Sequence, residues 1–433
     1  MGKYIILPSS SDLNRGDQAL VWETIEIAKN ASCTGEFYML ASELNRTKQS
    51  QEEGINILSP ILKHPSRMFK SKENNEYNFT LLLKWGIVAF FDLLYSLSLL
   101  FSPTRSVLKL FMSSDDKKTL ELIEESDACF VKGGGFIHSA GKITDSYTVY
   151  FQLFHVLLAQ SLHKPVYIMP NSFGPFPGFA VEWLVKKTLS KCKLVTVRES
   201  ISKDMLDEIS VESRLFPDLG FSLEKGSEEI SQLIDIKNRY HEKKLVAITA
   251  RPYRFPKSDN PNKMYNEYIS SMVKFCRWLN ASGYMPIFVE QVLSETTHEN
   301  DRTAINEITS HLKNGTYEIV SDTAFNCRDI KNIYSQMDYT VGTRFHSVIF
   351  SLSEGVPALA IEYGGNKGAG ILKDIGLAEY GIPIEEVSFN KLKETFIRLT
   401  DNSANIRLKT KEYMDYNQQM YKKFIDLIRS ENH

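Results

Sequence analysis

An arginine and a histidine stand two residues apart near the start of the stretch VGTRFHSVIFSLSEGVPALAIEY, residues 341–363. The pattern predicts a buried strand end, a short helix and a second buried strand. Thr343 is expected to cap the helix and Gly355 to end it. Arg344 and His346, by contrast, have no evident role in packing. The first turn of a helix has free backbone N–H groups and carries a partial positive charge. Two basic side chains there predict an anion-binding site.

Two further cations follow predicted strands in the same half of the chain. Lys367 lies in the glycine-rich loop EYGGNKGAG and is predicted to reach the same site. Arg251 ends the strand of TARPYRFP, and its guanidinium can match a carboxylate or phosphate with two parallel N–H groups. Other roles stay open. Arg344 would also fit an ion pair with an acidic residue of the facing domain. His346 would also fit a hydrogen-bonded core histidine, and Arg251 a solvated loop arginine.

Two turns in the first half of the chain supply the remaining candidates. NRGDQAL and KGGGFIH are tight turns in which glycine lets a ligand approach the backbone. The candidates are Asn14, Asp17, Gly134 and Gly135. Asp17 is explained equally well as an acceptor for a sugar hydroxyl or as a helix N-cap. Lys132 and His138, beside the second turn, are weaker candidates.

Common motifs of metal sites and of serine nucleophiles are absent from the sequence. It contains no HExxH, no GxSxG and no paired Cys/His cluster, so no metal is expected. Its five cysteines are scattered singly, which favours a reducing cytoplasm over a disulfide framework. The formal net charge of -2 gives no electrostatic reason to expect nucleic acid.

The elements that must position these residues repeat the order strand, glycine-rich turn, helix. The 433 residues therefore predict an α/β protein with two Rossmann-like, doubly wound domains that face a cleft. We expect an N-terminal domain over residues 1–225 and a C-terminal domain over 240–388. Helices follow over 389–433. The charged stretch near 224–244 is the expected linker.

A long apolar segment, residues 81–101, lies in an expected helical insertion near 79–111. Lys84 and the central Asp92 argue against a bilayer span, since a central Asp costs about 2.5–3.5 kcal/mol on insertion scales. The segment is expected to form a helical hairpin buried against the body. A helix on a membrane surface or against a partner, a bilayer span and a dimer surface remain alternatives.

Taken in order, NRGDQAL, VKGGGFIH, NSFGPF, VTVRESISKDML, FPDLGF and VGTRFHSVIFSLSEGVPALAIEYGGNKGAGIL resemble the polysaccharide pyruvyl transferase family. The resemblance implies a GT-B-like pair of domains. It also implies transfer of the pyruvyl group of phosphoenolpyruvate to a sugar of an exopolysaccharide or its lipid-linked precursor. A pyruvate ketal forms and phosphate is released, without a metal or a separate cofactor.

The family's functional residues transfer to this sequence position by position. Its arginine-x-histidine element falls on Arg344 and His346, its loop lysine on Lys367 and its strand-end arginine on Arg251. In the resulting hypothesis the first domain is the acceptor side and the second domain, the donor side, binds phosphoenolpyruvate. His346 protonates the phosphoenolpyruvate, and Asp17 acts as the base. A GT-B glycosyltransferase using a nucleotide sugar and a non-catalytic glycan-binding subunit are the alternatives. The expected location is the cytoplasm, with the inner face of the membrane left open.

Overall fold

The computed structural model describes residues 2–41, 46–62, 79–142, 144–294, 299–364 and 366–431. Within these residues the chain forms two parallel sheets, of eight and six strands. The first sheet contains β1 (Gly2–Leu7), β2 (Gly35–Leu40), β3 (Asn56–Leu58), β4 (Ala128–Val131), β5 (Gly134–Ile137), β6 (Val166–Phe173), β7 (Leu194–Val197) and β8 (Arg214–Leu215). The second contains β9 (Lys244–Thr249), β10 (Tyr284–Val289), β11 (Glu318–Val320), β12 (Tyr339–Gly342), β13 (Ala358–Glu362) and β14 (Gly381–Pro383). The predicted two-domain α/β fold is confirmed.

Helices connect the strands, as parallel pairing requires. Those before the second sheet are α1 (Arg15–Asn30), α2 (Lys48–Glu52), α3 (Phe79–Leu100), α4 (Ser102–Leu108), α5 (Ser114–Glu125), α6 (Asp145–Ser161), α7 (Val181–Leu189), α8 (Ser200–Glu208) and α9 (Ser231–Arg239). Those after its first strand are α10 (Pro261–Ala281), α11 (Asp301–Thr309), α12 (Cys327–Ser335), α13 (Phe345–Ser353), α14 (Lys367–Ile375), α15 (Phe389–Asp401) and α16 (Ser403–Glu431).

The strand order places the candidate residues at one location in each sheet. The orders are β3-β2-β1-β4-β6-β7-β8, with β5 beside β6, and β11-β10-β9-β12-β13-β14. Direction along the sheet reverses between β1 and β4 and again between β9 and β12. Ligands of open α/β sheets bind at such switch points, beyond the carboxyl ends of the strands. The turns after β4, β9 and β12 carry Lys132, Arg251 and Arg344, and Asp17 lies in the first turn of α1, the helix that follows β1.

Hydrogen bonds from the first turn of α1 join the two domains. The guanidinium of the buried Arg15 donates from Nη1 to the backbone oxygen of Asp12 and to Oε1 of Gln49. Its Nη2 donates to the backbone oxygen of Thr323 at 3.0 Å, across the domain boundary. The backbone N–H of Cys327 donates in turn to the side chain of Gln18. These bonds fix α1 relative to the second sheet.

The C-terminal helices divide between the domains. The side chain of Phe396 in α15 packs against Tyr339 of the second sheet. By contrast, the end of α16 returns to the first domain, where Arg429 Nη2 donates to the backbone oxygen of Asn30 at 2.8 Å. The stretch expected as a linker contains α9, whose Arg239 pairs with Glu318 of β11 at 2.6 Å. α9 therefore packs with the second domain.

The prediction of a buried helical hairpin over residues 81–101 is wrong. The segment forms one continuous helix, α3, and its inner face carries polar groups. Ser96 bonds Tyr150 of α6 at 2.8 Å, and Tyr147 donates to Asp92 at 3.4 Å. Six of its large apolar side chains, Phe90 and Phe91 among them, face outward and are exposed. Composition predicted the helix correctly, but it could not show which face packs on the body.

We expect Arg15→Ala to lower the free energy of unfolding by about 2–4 kcal/mol, because it removes hydrogen bonds from a buried cation and leaves carbonyl oxygens without donors. Urea unfolding checks this. Arg407→Ala is the matched control, since Arg407 is exposed and its guanidinium reaches the backbone oxygen of Gly355. The control should stay within about 0.5 kcal/mol of the unmodified protein. Equal effects of the two changes would contradict the bridging role.

Candidate active site

His346 lies between the two domains, in the first turn of α13, and is 6% exposed. The first turn of α1 packs directly on its ring, since a Cβ atom on Gly16 would lie 2.1 Å from Nδ1. On the other side Nζ of Lys367 approaches Nδ1 to 3.5 Å. Nε2 is buried and has no hydrogen-bond partner among the described residues. The imidazole is therefore enclosed, with one ring nitrogen unsatisfied.

The start of α13 differs from its expected form. Arg344 occupies the N-cap position, and no side chain of the described residues caps the helix. Thr343, the expected cap, instead pairs its hydroxyl with that of Tyr268 at 3.2 Å. A threonine turned toward a buried tyrosine cannot accept from the helix N–H groups. A first turn without a side-chain cap among the described residues fits the anion-binding site that the sequence predicts.

Arg344 is engaged in a buried ion pair. Its Nε donates to Oδ1 of Asp301 at 2.7 Å, and its Nη2 donates to the backbone oxygen of Glu299 at 2.5 Å. Burial acts to lower the pKa of Arg344, but Asp301 reverses the effect and raises it. The ion pair considered from the sequence is thus present, with a partner from the same domain and not from the facing one. Arg344 anchors the start of α13, and Nη1 is the nitrogen outside these bonds.

Arg251 and Tyr363 form a stacked pair beside this helix start. The guanidinium carbon of Arg251 lies 4.1 Å from the centroid of the Tyr363 ring, and its buried Nε has no partner among the described residues. Burial acts to raise the pKa of Tyr363, but Arg251, Arg344 and Lys367 together lower it to about 8. A phenol becomes this acidic only where positive charge is in excess.

Lys367 and His346 are affected by the same excess of positive charge. Burial, together with the guanidinium of Arg198, lowers the pKa of Lys367 to about 8, against the opposing influence of Tyr363 and Asp218. Burial also lowers the pKa of His346 well below its usual range, and the nearby Lys367 and Arg198 act in the same direction. His346 therefore favours its neutral form in the ligand-free cleft, whereas Lys367 becomes neutral only as the pH rises above about 8.

The first domain contributes two more cations. Nζ of Lys132 lies 3.2 Å from Oδ1 of Asp17, whose carboxylate is partly exposed. Arg198, at the end of β7, is buried and pairs with Asp218 at 2.6 Å. Its Nη2 has no partner among the described residues and lies 2.9 Å from where Gly135 would carry a Cβ. Glycine at position 135 leaves this guanidinium open on one side.

The turn residues of the first domain take structural positions beside these charges. Asn14 is the N-cap of α1, accepting from the N–H of Gly16 at 3.2 Å and of Asp17 at 3.3 Å. Asp17 is therefore not the cap, and its carboxylate is directed to Lys132. Gly134 has a positive φ of 159°, which permits the turn into β5. His138 is exposed and lies beside the backbone oxygen of Gly135.

Sequence reasoning missed Arg198, Asp218 and Tyr363. VTVRES places Arg198 directly after a predicted strand, which is the same signal that identified Arg251. Among the described residues no group of three or more His, Cys, Asp or Glu side chains could hold a metal ion. The arrangement is chemically suited to a small, multiply charged anion, because buried guanidinium and ammonium groups surround a histidine that can exchange a proton.

Comparisons with known proteins identify the family of the chain. The family model for polysaccharide pyruvyl transferase matches residues 14–365. The amylovoran biosynthesis protein AmsJ from Erwinia amylovora is 25% identical over 291 residues, which cover 66% of this chain and 68% of AmsJ.

Two solved structures share the two-domain arrangement at low sequence identity. UGT2 from Phytolacca americana has a TM-score of 0.57 at 10% identity and full coverage, 100% of each chain. A putative UDP-N-acetylglucosamine 2-epimerase from Listeria monocytogenes has a TM-score of 0.55 at 13% identity, covering 94% of this chain and 90% of its own. At these identities the similarity shows the GT-B fold alone.

We expect Tyr363 to become a phenolate as the pH rises through about 8, because the cations around it favour the charged form. Burial raises the pKa of other tyrosines instead, for instance that of Tyr268 to about 12. Phenolate absorbance in the ultraviolet should therefore show one early step, which Tyr363→Phe removes. Tyr253→Phe is the control, since burial raises the pKa of Tyr253. An unchanged early step in Tyr363→Phe would show that another group titrates.

Proposed function

Since the chain belongs to the polysaccharide pyruvyl transferase family, we propose that it transfers the pyruvyl group of phosphoenolpyruvate to a sugar of an exopolysaccharide or of its lipid-linked precursor. One observation carries the proposal. Three buried nitrogens at one cleft, Nη2 of Arg198, Nε of Arg251 and Nε2 of His346, have no hydrogen-bond partner among the described residues. Buried donors are almost always satisfied, so a ligand with several acceptor oxygens fits this cleft.

Phosphoenolpyruvate offers a phosphate and a carboxylate, and the cleft offers cations on both of its walls. Arg251, Lys367 and the open first turn of α13 would bind one anionic group from the second domain. Arg198, whose free edge faces Gly135, would meet the other from the first domain. The donor would then be held between the domains. The sequence led us to expect a donor site confined to the second domain. The proposed site instead uses both domains.

His346 would act as the acid. Its imidazolium would donate a proton to the methylene carbon of the donor, which becomes a methyl group and leaves oxocarbenium character at C2. General acid catalysis of this kind contributes about 10²–10⁴ in rate. In the ligand-free cleft the pKa of His346 is lowered by burial and by neighbouring cations. Binding of the anionic donor would offset those cations and raise that pKa, so the acid forms where it is needed.

The remaining steps complete the ketal. One sugar hydroxyl attacks C2 and gives up its proton, for which the partly exposed carboxylate of Asp17 is the proposed base. Phosphate then leaves with the electrons of the C2–O bond, and a second hydroxyl attacks C2 and loses its proton. The products are a cyclic pyruvate ketal and inorganic phosphate. Donor and acceptor supply every atom, and the steps require no metal or redox cofactor.

We expect donor binding to take up protons. Lys367, with a pKa of about 8, is largely neutral above that pH, and a bound anion raises its pKa. Calorimetry of phosphoenolpyruvate binding in buffers of different ionisation enthalpy, at a pH of about 9, should therefore show proton uptake, with affinity falling as the pH rises further. Lys367→Met should reduce both effects. Lys373→Met, an exposed lysine on the same helix, should change neither. Binding without proton uptake would refute the coupling.

We expect phosphate release from phosphoenolpyruvate when a polysaccharide stripped of its ketals by mild acid serves as acceptor. His346→Gln should lower the rate by about 10²–10⁴ while binding of the donor is largely retained. A thermal shift with phosphoenolpyruvate, lost in Arg251→Met, would support the donor site without any acceptor.

A thermal shift caused only by UDP-sugars would favour glycosyl transfer. No shift with either donor, and no turnover, would favour the non-catalytic glycan-binding role.

A further inference from the structure

The outer face of α3 carries a continuous apolar stripe. Large apolar side chains recur at helical spacing along it and are all exposed: Leu83, Ile87, Phe90, Phe91, Leu94 and Leu97. The stripe is about 21 Å long at 1.5 Å per residue. The helix segment Leu83–Leu100 is long and apolar enough to cross a membrane, by length and composition. Soluble proteins rarely expose a patch of this kind without a partner for it.

The same surface continues past the helix. Val107 lies in α4 and is more than half exposed, and just beyond α4 the side chains of Leu110 and Phe111 are 80% and 82% exposed. Side chains exposed to this degree project from the surface. Protein partners usually engage packed central pockets, whereas a lipid interface accepts projecting apolar side chains of any shape.

The charges around the stripe fit an anionic surface. Asp92 is the only acid between residues 83 and 111, and it lies on the opposite face of α3, where it accepts a hydrogen bond from Tyr147. Lys84 is exposed at the flank of the stripe. Long basic side chains at such flanks reach lipid headgroups while their stems cover apolar surface. The stripe therefore carries no exposed negative charge that an anionic bilayer would repel.

A neighbouring helix in the same layer adds aromatic and basic side chains. α6 packs against both α3 and α7. In and just before α7, Trp183 is 62% and Phe179 is 87% exposed. Lys186 and Lys187 follow on exposed positions of α7. Aromatic rings beside lysines are the composition of segments that lie at a membrane–water interface.

The direction of α3 places this surface beside the cleft. Asp92 lies opposite Tyr147 and Ser96 opposite Tyr150, so α3 runs parallel to α6. α6 starts at the carboxyl edge of the sheet, because it follows β5 and leads into the parallel β6. The half of α3 before Asp92 thus extends beyond α6 at the edge of the sheet where the active site lies.

We infer that the outer face of α3 and α4 docks on the surface of a lipid bilayer, with the helix lying along the interface and not across it. Docked in this way, the protein would present its cleft to a sugar carried on a lipid. That consequence rests on the proposed function, whereas the docking itself does not require it.

Co-sedimentation of the full chain with vesicles of phosphatidylcholine and phosphatidylglycerol tests the inference. The unmodified protein should bind, and the double variant Phe90→Glu/Phe91→Glu should lose roughly tenfold or more in affinity, since two buried aromatic side chains would become charges. The double variant Ile397→Glu/Leu408→Glu is the matched control. It makes the same kind of change at exposed apolar positions of the C-terminal helices, and it should bind like the unmodified protein.

Two outcomes would overturn the inference. One is the absence of vesicle binding by the unmodified protein. The other is equal binding by Phe90→Glu/Phe91→Glu. A dimer in solution that becomes a monomer in this variant, together with no vesicle binding, would assign the stripe to a second copy of the chain. Melting temperatures and phosphoenolpyruvate binding measured on the same variants separate a failure of docking from a failure of the fold or of the proposed function.

Discussion

Incompletely compensated positive charge in the cleft is the constraint on which the rest of the structure depends. Burying a lysine or an arginine costs several kcal/mol unless a partner is supplied. Arg344 has Asp301 and Arg198 has Asp218, but Lys367 is close to His346, which is itself neutral in the ligand-free cleft. Burial and the nearby Arg198 lower the pKa of Lys367, and the surrounding cations lower that of Tyr363. A cleft of this kind is destabilised when empty and stabilised by an anion, as expected of a binding site.

The excess charge can be maintained only if the domains are held together. Lys132 and Arg198 belong to the first sheet, and the other cations belong to the second, so separation of the domains would divide the site. Arg15 ties α1 to the segment before α12, and Asn366 donates to the backbone oxygen of Phe173 at 2.9 Å, just before Lys367. The bond at Asn366 fixes the loop that carries the lysine. The hydrogen bonds between the domains therefore also help to position the cations of the cleft.

Much of this arrangement could be predicted from the sequence because strand ends are easy to identify. Buried runs followed by glycine-rich turns located the carboxyl edges of the sheets, and parallel pairing brought Arg251, His346 and Lys367 to one edge. Side-chain direction could not be predicted in the same way. Whether Thr343 caps α13 or turns to Tyr268, and whether Arg198 faces the cleft, depends on packing between segments that are far apart in the chain. The exposure of α3 was missed for the same reason.

The roles of Arg344 and Lys367 differ although both are cations beside His346. Asp301 accepts backbone N–H groups from Gln291 and Val292 in addition to the Arg344 pair, so its carboxylate is held rigidly in a buried position. Removing Arg344 would leave that charge without its counterion, a loss that affects stability before it affects binding. Lys367 has no carboxylate partner among the described residues, and its removal would relieve repulsion in the ligand-free cleft. An effect on donor binding can therefore be interpreted directly at Lys367, whereas at Arg344 it is inseparable from the anchoring of α13.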